Sequence, residues 1–247
     1  MDVVVRVDPS LAFLLPLRDR AVRERRLRFD PDATVGHVVR AAGVPPTEVG
    51  VLTLDGAPTS LTARTAPGAV LDVSPVARPQ PVPDGGFLVD VGLGSLARRL
   101  RLLGLDAAYD PAADDAAAVA QAAAEDRVLL TQDRGLLMRR ALKAGALVRG
   151  AGAEQQLADV LDRFAPALSP LTRCTACGGE LVAVPKASVA DLLEPGTRRS
   201  YDEFSRCAAC ARVYWRGAHA RPIEEMVARA ADPPGSGMSV GGRRLGP

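Results

Sequence analysis

Four cysteines in two pairs, Cys174-x-x-Cys177 and Cys207-x-x-Cys210, constrain this chain more than any other feature, because no fifth thiol is left over. Disulfides are unusual in a reducing cytosol, whereas two CxxC pairs supply four thiolates at the spacing that closes a tetrahedral zinc shell. A lone CxxC could serve redox chemistry, but neither pair opens a helix after a strand, as a thioredoxin-like site does. The pattern therefore predicts structural Zn²⁺ on Cys174, Cys177, Cys207 and Cys210, with the module spanning residues 166–225.

The remaining sequence must supply its own core. The chain has 247 residues, 47% of them hydrophobic and 24% charged, which fits a folded protein of one or two domains rather than a disordered one. No apolar run approaches bilayer length, and no basic n-region precedes an apolar stretch, so the expectation is a cytoplasmic protein with no membrane partner. The charge is nearly balanced, with 31 Lys plus Arg against 29 Asp plus Glu. The small basic excess falls in the cysteine segment and is almost all Arg. It permits a nucleic-acid partner without requiring one.

The first 78 residues read as strand, strand, helix, strand, strand. Val3 to Val7 and Arg25 to Phe29 are strands, and Thr34 caps a helix from Val35 to Ala42. Val49 to Leu54 runs into the Asp55-Gly56 hairpin turn, and Ala69 to Ser74 closes the series. That order resembles the β-grasp of ubiquitin-like and sulfur-carrier proteins. Gly85-Gly86 is internal, so it offers no free carboxylate to activate and is expected to be a turn. The Pro-rich residues 79–86 predict a linker tethering an accessory module. Residues 87–165 alternate strand and helix, which implies a parallel sheet with helices on its faces. Helices are expected at Ser95 to Leu103, Asp114 to Glu125, Arg134 to Ala144 and Gly152 to Phe164. In the cysteine module, Tyr201 to Phe204 and Arg212 to Trp215 are expected strands. Residues 226–247 are expected to be a helix end and a flexible tail.

Open parallel sheets bind ligands beyond the carboxyl ends of their strands. Asp90, Asp110 and Asp133 fall at that edge, and Asp114 and Asp115 start a helix there. Clustered carboxylates with no Lys or His among them suit a hard cation such as Mg²⁺ or Mn²⁺, which supports phosphodiester hydrolysis. Each acid alone could instead be a helix cap. On the helix from Ser95, the leucines form one stripe and Arg98 and Arg101 lie opposite, a face that could hold a polynucleotide backbone or simply meet water. A rival reading takes Gly92-Leu-Gly94-Ser-Leu-Ala97 as a dinucleotide fingerprint. The segment has about half the length that such a fold needs.

Phe87-Leu-Val-Asp90-x-x-Leu93-Gly94-x-Leu96-Ala97, then Arg127-Val-Leu-Leu-Thr131-x-Asp133-Arg134, then Cys174-x-x-Cys177-Gly-Gly and Tyr201-Asp-Glu-Phe-x-Arg-Cys207-x-x-Cys210 resemble, in order, three blocks of the Mut-seven C-terminal RNase domain. This is a PIN-like nuclease family with a zinc ribbon, and an N-terminal ubiquitin-like domain often precedes it. The resemblance implies an α/β architecture of β-grasp domain (1–78), linker (79–86), PIN-like domain (87–165) and zinc ribbon (166–225). It implies Mg²⁺- or Mn²⁺-dependent RNA cleavage with Asp90, Asp115 and Asp133 as catalytic metal ligands, and beside it RNA contacts are expected from Arg98, Arg101 and Arg134. A protein partner is expected through the ubiquitin-like domain. Gly135 stands where a further acid is expected, and Glu154 is a loose substitute. A non-catalytic RNA-binding module is therefore the alternative. Asp106 and His219 also match the pattern and are expected to be structural.

Overall fold

The computed structural model describes residues 1–217 and 225–228. Residues 1–100 and 105–167 form one compact unit, and residues 101–104 with the described residues from 168 onward form a second.

The first unit holds two sheets. Strands β1 (Asp2–Val7), β2 (Glu24–Arg28), β3 (Val49–Leu54), β4 (Ala57–Pro58) and β5 (Val70–Pro75) make a mixed sheet in the order β2-β1-β5-β3-β4, with β1 and β5 parallel. Alternation decides its buried face: Val3 and Val5 of β1, Leu52 of β3, and Leu71 and Val73 of β5 point at Val35, Val38 and Val39 of helix α1 (Val35–Ala41). The Thr34 side chain caps α1 by accepting from His37 N at 3.3 Å. Asp55 and Gly56 both take positive φ, 53° and 81°, as the hairpin signal predicts. This is the expected β-grasp.

The second sheet is parallel throughout, in the order β7-β6-β8-β9, from β6 (Phe87–Val89), β7 (Ala107–Ala108), β8 (Val128–Thr131) and β9 (Gly145–Leu147). Every residue of the central strands β6 and β8 is buried, so both read as unbroken apolar runs rather than alternations. Helices α2 (Gly94–Leu102), α3 (Asp115–Ala124), α4 (Arg134–Leu137) and α5 (Ala153–Phe164) follow the strands in turn. After β6 the chain passes to β7 on one side, and after β8 it passes to β9 on the other. The topological switch point therefore lies between the carboxyl ends of β6 and β8.

One expectation is corrected here. Helix α4 stops at Leu137 instead of continuing to Ala144. Leu136, Leu137 and Leu142 are all buried in one cluster, and no single face of a straight helix carries positions so spaced. The chain must turn to bury all three. Buried contacts also join the two sheets of this unit. Glu48, from the β-grasp part, and Arg163 of α5 are each 1% exposed, and Arg163 Nη1 donates to both Glu48 carboxylate oxygens at 2.8 and 2.9 Å. Arg163 also donates to the Thr47 carbonyl and the Gln80 side chain, while the Leu147 amide donates to Glu48 Oε1 at 2.8 Å. Arg78 is held by Asp159 and Asp162. Gly85-Gly86 is the expected turn: a Cβ on Gly86 would come within 2.6 Å of the Asp106 carbonyl, and its φ is 73°.

The second unit contains an antiparallel sheet of β10 (Leu181–Val184), β11 (Phe204–Cys207) and β12 (Val213–Trp215), with helix α6 (Pro195–Ser200) between the first two strands. Val189, Leu193 and Phe204 form its core, backed by Val184, Tyr201 and Val213. Strand β11 thus begins where the expected strand Tyr201 to Phe204 ends. His219 and residues 229–247 lie outside the described residues. Among the described residues, no helix is long and apolar enough to cross a membrane.

Candidate active site and metal centre

Asp90 and Asp133 follow the two strands that flank the switch point. Asp90 N donates to the Leu130 carbonyl, continuing the β6–β8 ladder by one residue, and one side-chain oxygen accepts from Val91 N at 2.7 Å. Its other oxygen accepts a 2.5 Å hydrogen bond from the Thr131 hydroxyl. The same hydroxyl oxygen accepts from Asp133 N at 2.9 Å. Thr131, fully buried at the end of β8, therefore joins the two aspartates through one side chain. Asp133 Oδ1 caps α4 by accepting from Gly135 N at 2.6 Å. A Cβ at Gly135 would lie 3.1 Å from that oxygen, so this position is occupied by a close backbone approach and not by the expected further acid.

The other acids are placed differently. Asp115 Oδ2 accepts from Arg139 Nη2 at 2.7 Å, in a partly exposed ion pair. Asp114 is the cap of α3, accepting from Ala117 N, and Asp110 accepts from Ala112 N in a turn. Asp106 pairs with Arg127 at 2.8 Å, a structural bond. Glu154 lies in the first turn of α5, exposed to solvent. Among the described residues, the four cysteines are the one group of three or more His, Cys, Asp or Glu side chains whose ligand atoms all lie within 4.8 Å of one another.

Of the expected basic contacts, Arg98 is exposed on α2. Arg101 is not: it is 2% exposed, and its guanidinium donates to the carbonyls of Thr175 and Ala176. Arg101 follows buried Ala97 by one helical turn, so the inward face is wider than the leucine stripe suggests. Arg134 donates from Nη1 to the Leu14 carbonyl of the β-grasp part. Sequence reasoning also missed Thr131, whose signal was a single hydroxyl ending an apolar strand just before Asp133. It missed Arg149 and Gln132 as well. Gln132 Nε2 donates to the carbonyls of Val148 and Gly150, tying the exit of β8 to that of β9. Gly94 lies under Tyr109, where a Cβ would come within 2.7 Å of the hydroxyl. The second glycine of the G-x-G-x-x-A pattern is thus a site of side-chain packing.

The cysteines converge. Cys174 Sγ lies 3.6 Å from Cys210 Sγ, and Cys177 Sγ lies 3.5 Å from Cys207 Sγ. Sulfurs around a tetrahedral zinc with Zn–S of ~2.3 Å would be about 3.8 Å apart, so the donor set fits Zn²⁺. Both knuckles turn in the same way: the fourth residue after each first cysteine takes positive φ, 82° at Gly178 and 59° at Ala211. Burial opposes ionisation of Cys174, but donors from the Tyr214 hydroxyl and the Ala176 and Cys177 amides outweigh it and lower the thiol to about 6. At Cys177 the Gly179 amide favours the thiolate, yet burial and the neighbouring sulfurs prevail and push the thiol up to about 12. Four thiolates this close repel, and a cation among them removes the conflict.

The family model described as the Mut7-C RNAse domain matches residues 85–227, and the one described as Mut7-C ubiquitin matches residues 1–81. The chain belongs to the Mut7-C RNAse domain family. The match starts just before β6 and takes in the parallel sheet and the cysteine module, while the ubiquitin-like match covers the β-grasp sheet. Two solved structures of small archaeal modifier protein 1 from Haloferax volcanii are 21% and 22% identical over 32% and 31% of this chain, covering 100% and 98% of theirs, with TM-scores of 0.26 and 0.25. No curated protein matches the chain.

Proposed function

We propose that this chain is a divalent-metal-dependent ribonuclease whose acidic centre is built on Asp90 and Asp133, with Asp115 joining them and with structural Zn²⁺ on Cys174, Cys177, Cys207 and Cys210. The observation that carries the proposal is the bond chain Asp90–Thr131–Asp133 at the switch point of the parallel sheet, in a member of the Mut7-C RNAse domain family. Both carboxylates are held by donors that leave lone pairs available. Asp133 Oδ2 has no hydrogen-bond partner among the described residues, and Asp90 keeps a second lone pair on each oxygen. Mg²⁺ or Mn²⁺ bound there would neutralise the acids towards a phosphodiester and supply Lewis acidity. Thr131 orients Asp90, Gly135 N orients Asp133, and exposed Arg98 offers a phosphate contact.

A second reading has its own support. Asp115 is paired with Arg139, and no three carboxylates converge among the described residues. On that reading the domain binds RNA without cutting it. The test is incubation of the full chain with RNA and DNA oligonucleotides, with and without Mg²⁺ or Mn²⁺, alongside Asp90→Asn and Asp133→Asn. Asn caps a helix about as well as Asp, so stability should hold. Turnover should fall by more than about a hundredfold, because loss of a metal ligand outweighs loss of a residue behind it. Equal rates in all three proteins would remove the acidic centre. RNA binding by the wild type without cleavage would favour the second reading.

A further inference from the structure

Residues 8–23, which join β1 to β2, do more than connect them. Leu11, Leu14 and Leu15 are buried in the β-grasp core, so the segment is anchored from below. Asp8 caps its first turn by accepting from Ser10 N and Oγ at 2.8 and 2.6 Å. Arg20 donates to the carbonyls of Leu15 and Phe13, and Arg25 pairs with Asp19 at 3.2 Å. These bonds staple the segment to itself and to β2.

Its outer side is moored to the parallel domain at two points. Arg134, the residue after Asp133, donates to the Leu14 carbonyl. The Arg149 guanidinium lies over the Phe13 ring, 4.5 Å from its centroid. Arg149 follows β9 by two residues, so both arginines stand at the carboxyl edge of the sheet, where the acidic centre lies. The buried Glu48–Arg163 pair holds the same two domains together. Three residues beyond Leu14, however, the segment opens: Leu17 is 81% exposed and the Arg18 side chain 87% exposed. A loop anchored through Phe13 and Leu14 at the carboxyl edge of the sheet thus presents an apolar side chain next to Arg18, whose Nε lies 3.9 Å from Asp19 Oδ2.

We propose that residues 13–18 of the ubiquitin-like domain form one wall of the RNA-binding cleft, with Leu17 against a base and Arg18 against a phosphate. The class of substrate this fits is single-stranded RNA, because an apolar side chain meets a base face only where the base is unpaired. The proposal rests on the ribonuclease reading above and adds a substrate-binding role for the N-terminal domain.

The test uses the full chain and a labelled single-stranded oligoribonucleotide, with the duplex of the same sequence as comparison and Mn²⁺ as the metal. Leu17→Ser should weaken binding of the single strand by about fivefold, the size of one apolar contact, and leave the duplex unaffected. Arg18→Ala should lower the log–log salt dependence of single-strand affinity by about 0.7, the signature of one lost phosphate contact. Both should raise KM and leave kcat and melting temperature unchanged, and Arg26→Ala, exposed on β2, should change neither binding nor its salt slope. If both loop variants bind and cut like wild type while Asp133→Asn is slow, the wall is refuted and the nuclease reading stands. If Arg26→Ala lowers the slope as much as Arg18→Ala, the contact is nonspecific and the wall is likewise refuted. If wild type binds RNA in a loop-dependent way but cuts nothing, the wall stands and the nuclease reading falls. Absence of RNA binding by the wild type would overturn both.

Discussion

Thr131 links the side chain of Asp90 to the backbone of Asp133, across two segments that start separate helical turns. Its hydroxyl donates to Asp90 and accepts from Asp133 N, from a fully buried position. Thr131→Val keeps the shape and removes both bonds, leaving the Asp133 amide and the Asp90 carboxylate without that partner. Stability should fall by about 1–3 kcal/mol. Cleavage should fall by about 10–100-fold, as is common when the residue behind a metal ligand is lost. Thr131→Ser restores the hydroxyl and should recover most of the rate. Denaturant melts and single-turnover cleavage of the three proteins check this, and equal rates for Val and Thr would show that the bridge is idle.

At the scale of elements, the two cysteine knuckles share one backbone path but not one sequence. Gly178 takes the left-handed position of the first at no steric cost, while Ala211 occupies the equivalent place in the second with φ 59°. Ala211→Gly should therefore stabilise the module by about 0.5–1 kcal/mol, the left-handed cost of Ala less the added chain entropy of Gly. This is measurable as a higher melting temperature of the zinc-loaded protein. The thiolates are also expected to make the module metal-dependent. Purified protein should carry about one zinc per chain, consistent with a single four-sulfur group. Chelation, or Cys207→Ser, should speed amide exchange in residues 168–217 before it reaches β6 and β8. Mass spectrometry showing disulfides and no zinc would overturn that expectation.

Across the whole first unit, the Glu48–Arg163 pair joins the two halves of its sequence. Both side chains are 2% exposed, and every donor direction of the guanidinium that is described meets an oxygen of Glu48, Thr47 or Gln80. Removing one partner strands a charge in the interior. Arg163→Met should cost about 3–5 kcal/mol, and Glu48→Gln combined with Arg163→Met should regain part of that loss, since no buried charge remains. Denaturant unfolding of both, with amide exchange at Leu147 as the local probe, measures the coupling. If Arg163→Met unfolds like wild type, the pair does not hold the domains. A fragment beginning near Asp84 would lack Glu48 altogether. Its instability is therefore expected, although the Pro-rich residues 79–86 read as a linker to an accessory module.

What was legible in the sequence follows from local rules. Two CxxC pairs are a short-range signal, and their spacing alone brings the sulfurs of each pair together once a turn forms. The Thr34 cap, the Asp55-Gly56 turn and the buried runs of β6 and β8 are likewise decided within a few residues, by capping, left-handed backbone and unbroken hydrophobicity. The positions of Asp90 and Asp133 at one edge followed from the strand–helix alternation. Tertiary structure decided the rest. The pairing of Asp115, the proposed third member of the cluster, with Arg139, 24 positions away, is likewise invisible to pattern reasoning. Arg101 looked like part of a basic face, but the Thr175 and Ala176 carbonyls, far along the chain, accept its hydrogen bonds. Glu48, Arg163, Phe13 and Arg149 showed no motif at all. Their pairings cross more than a hundred residues, and such contacts exist only once separate hydrophobic cores have formed and set their surfaces against each other.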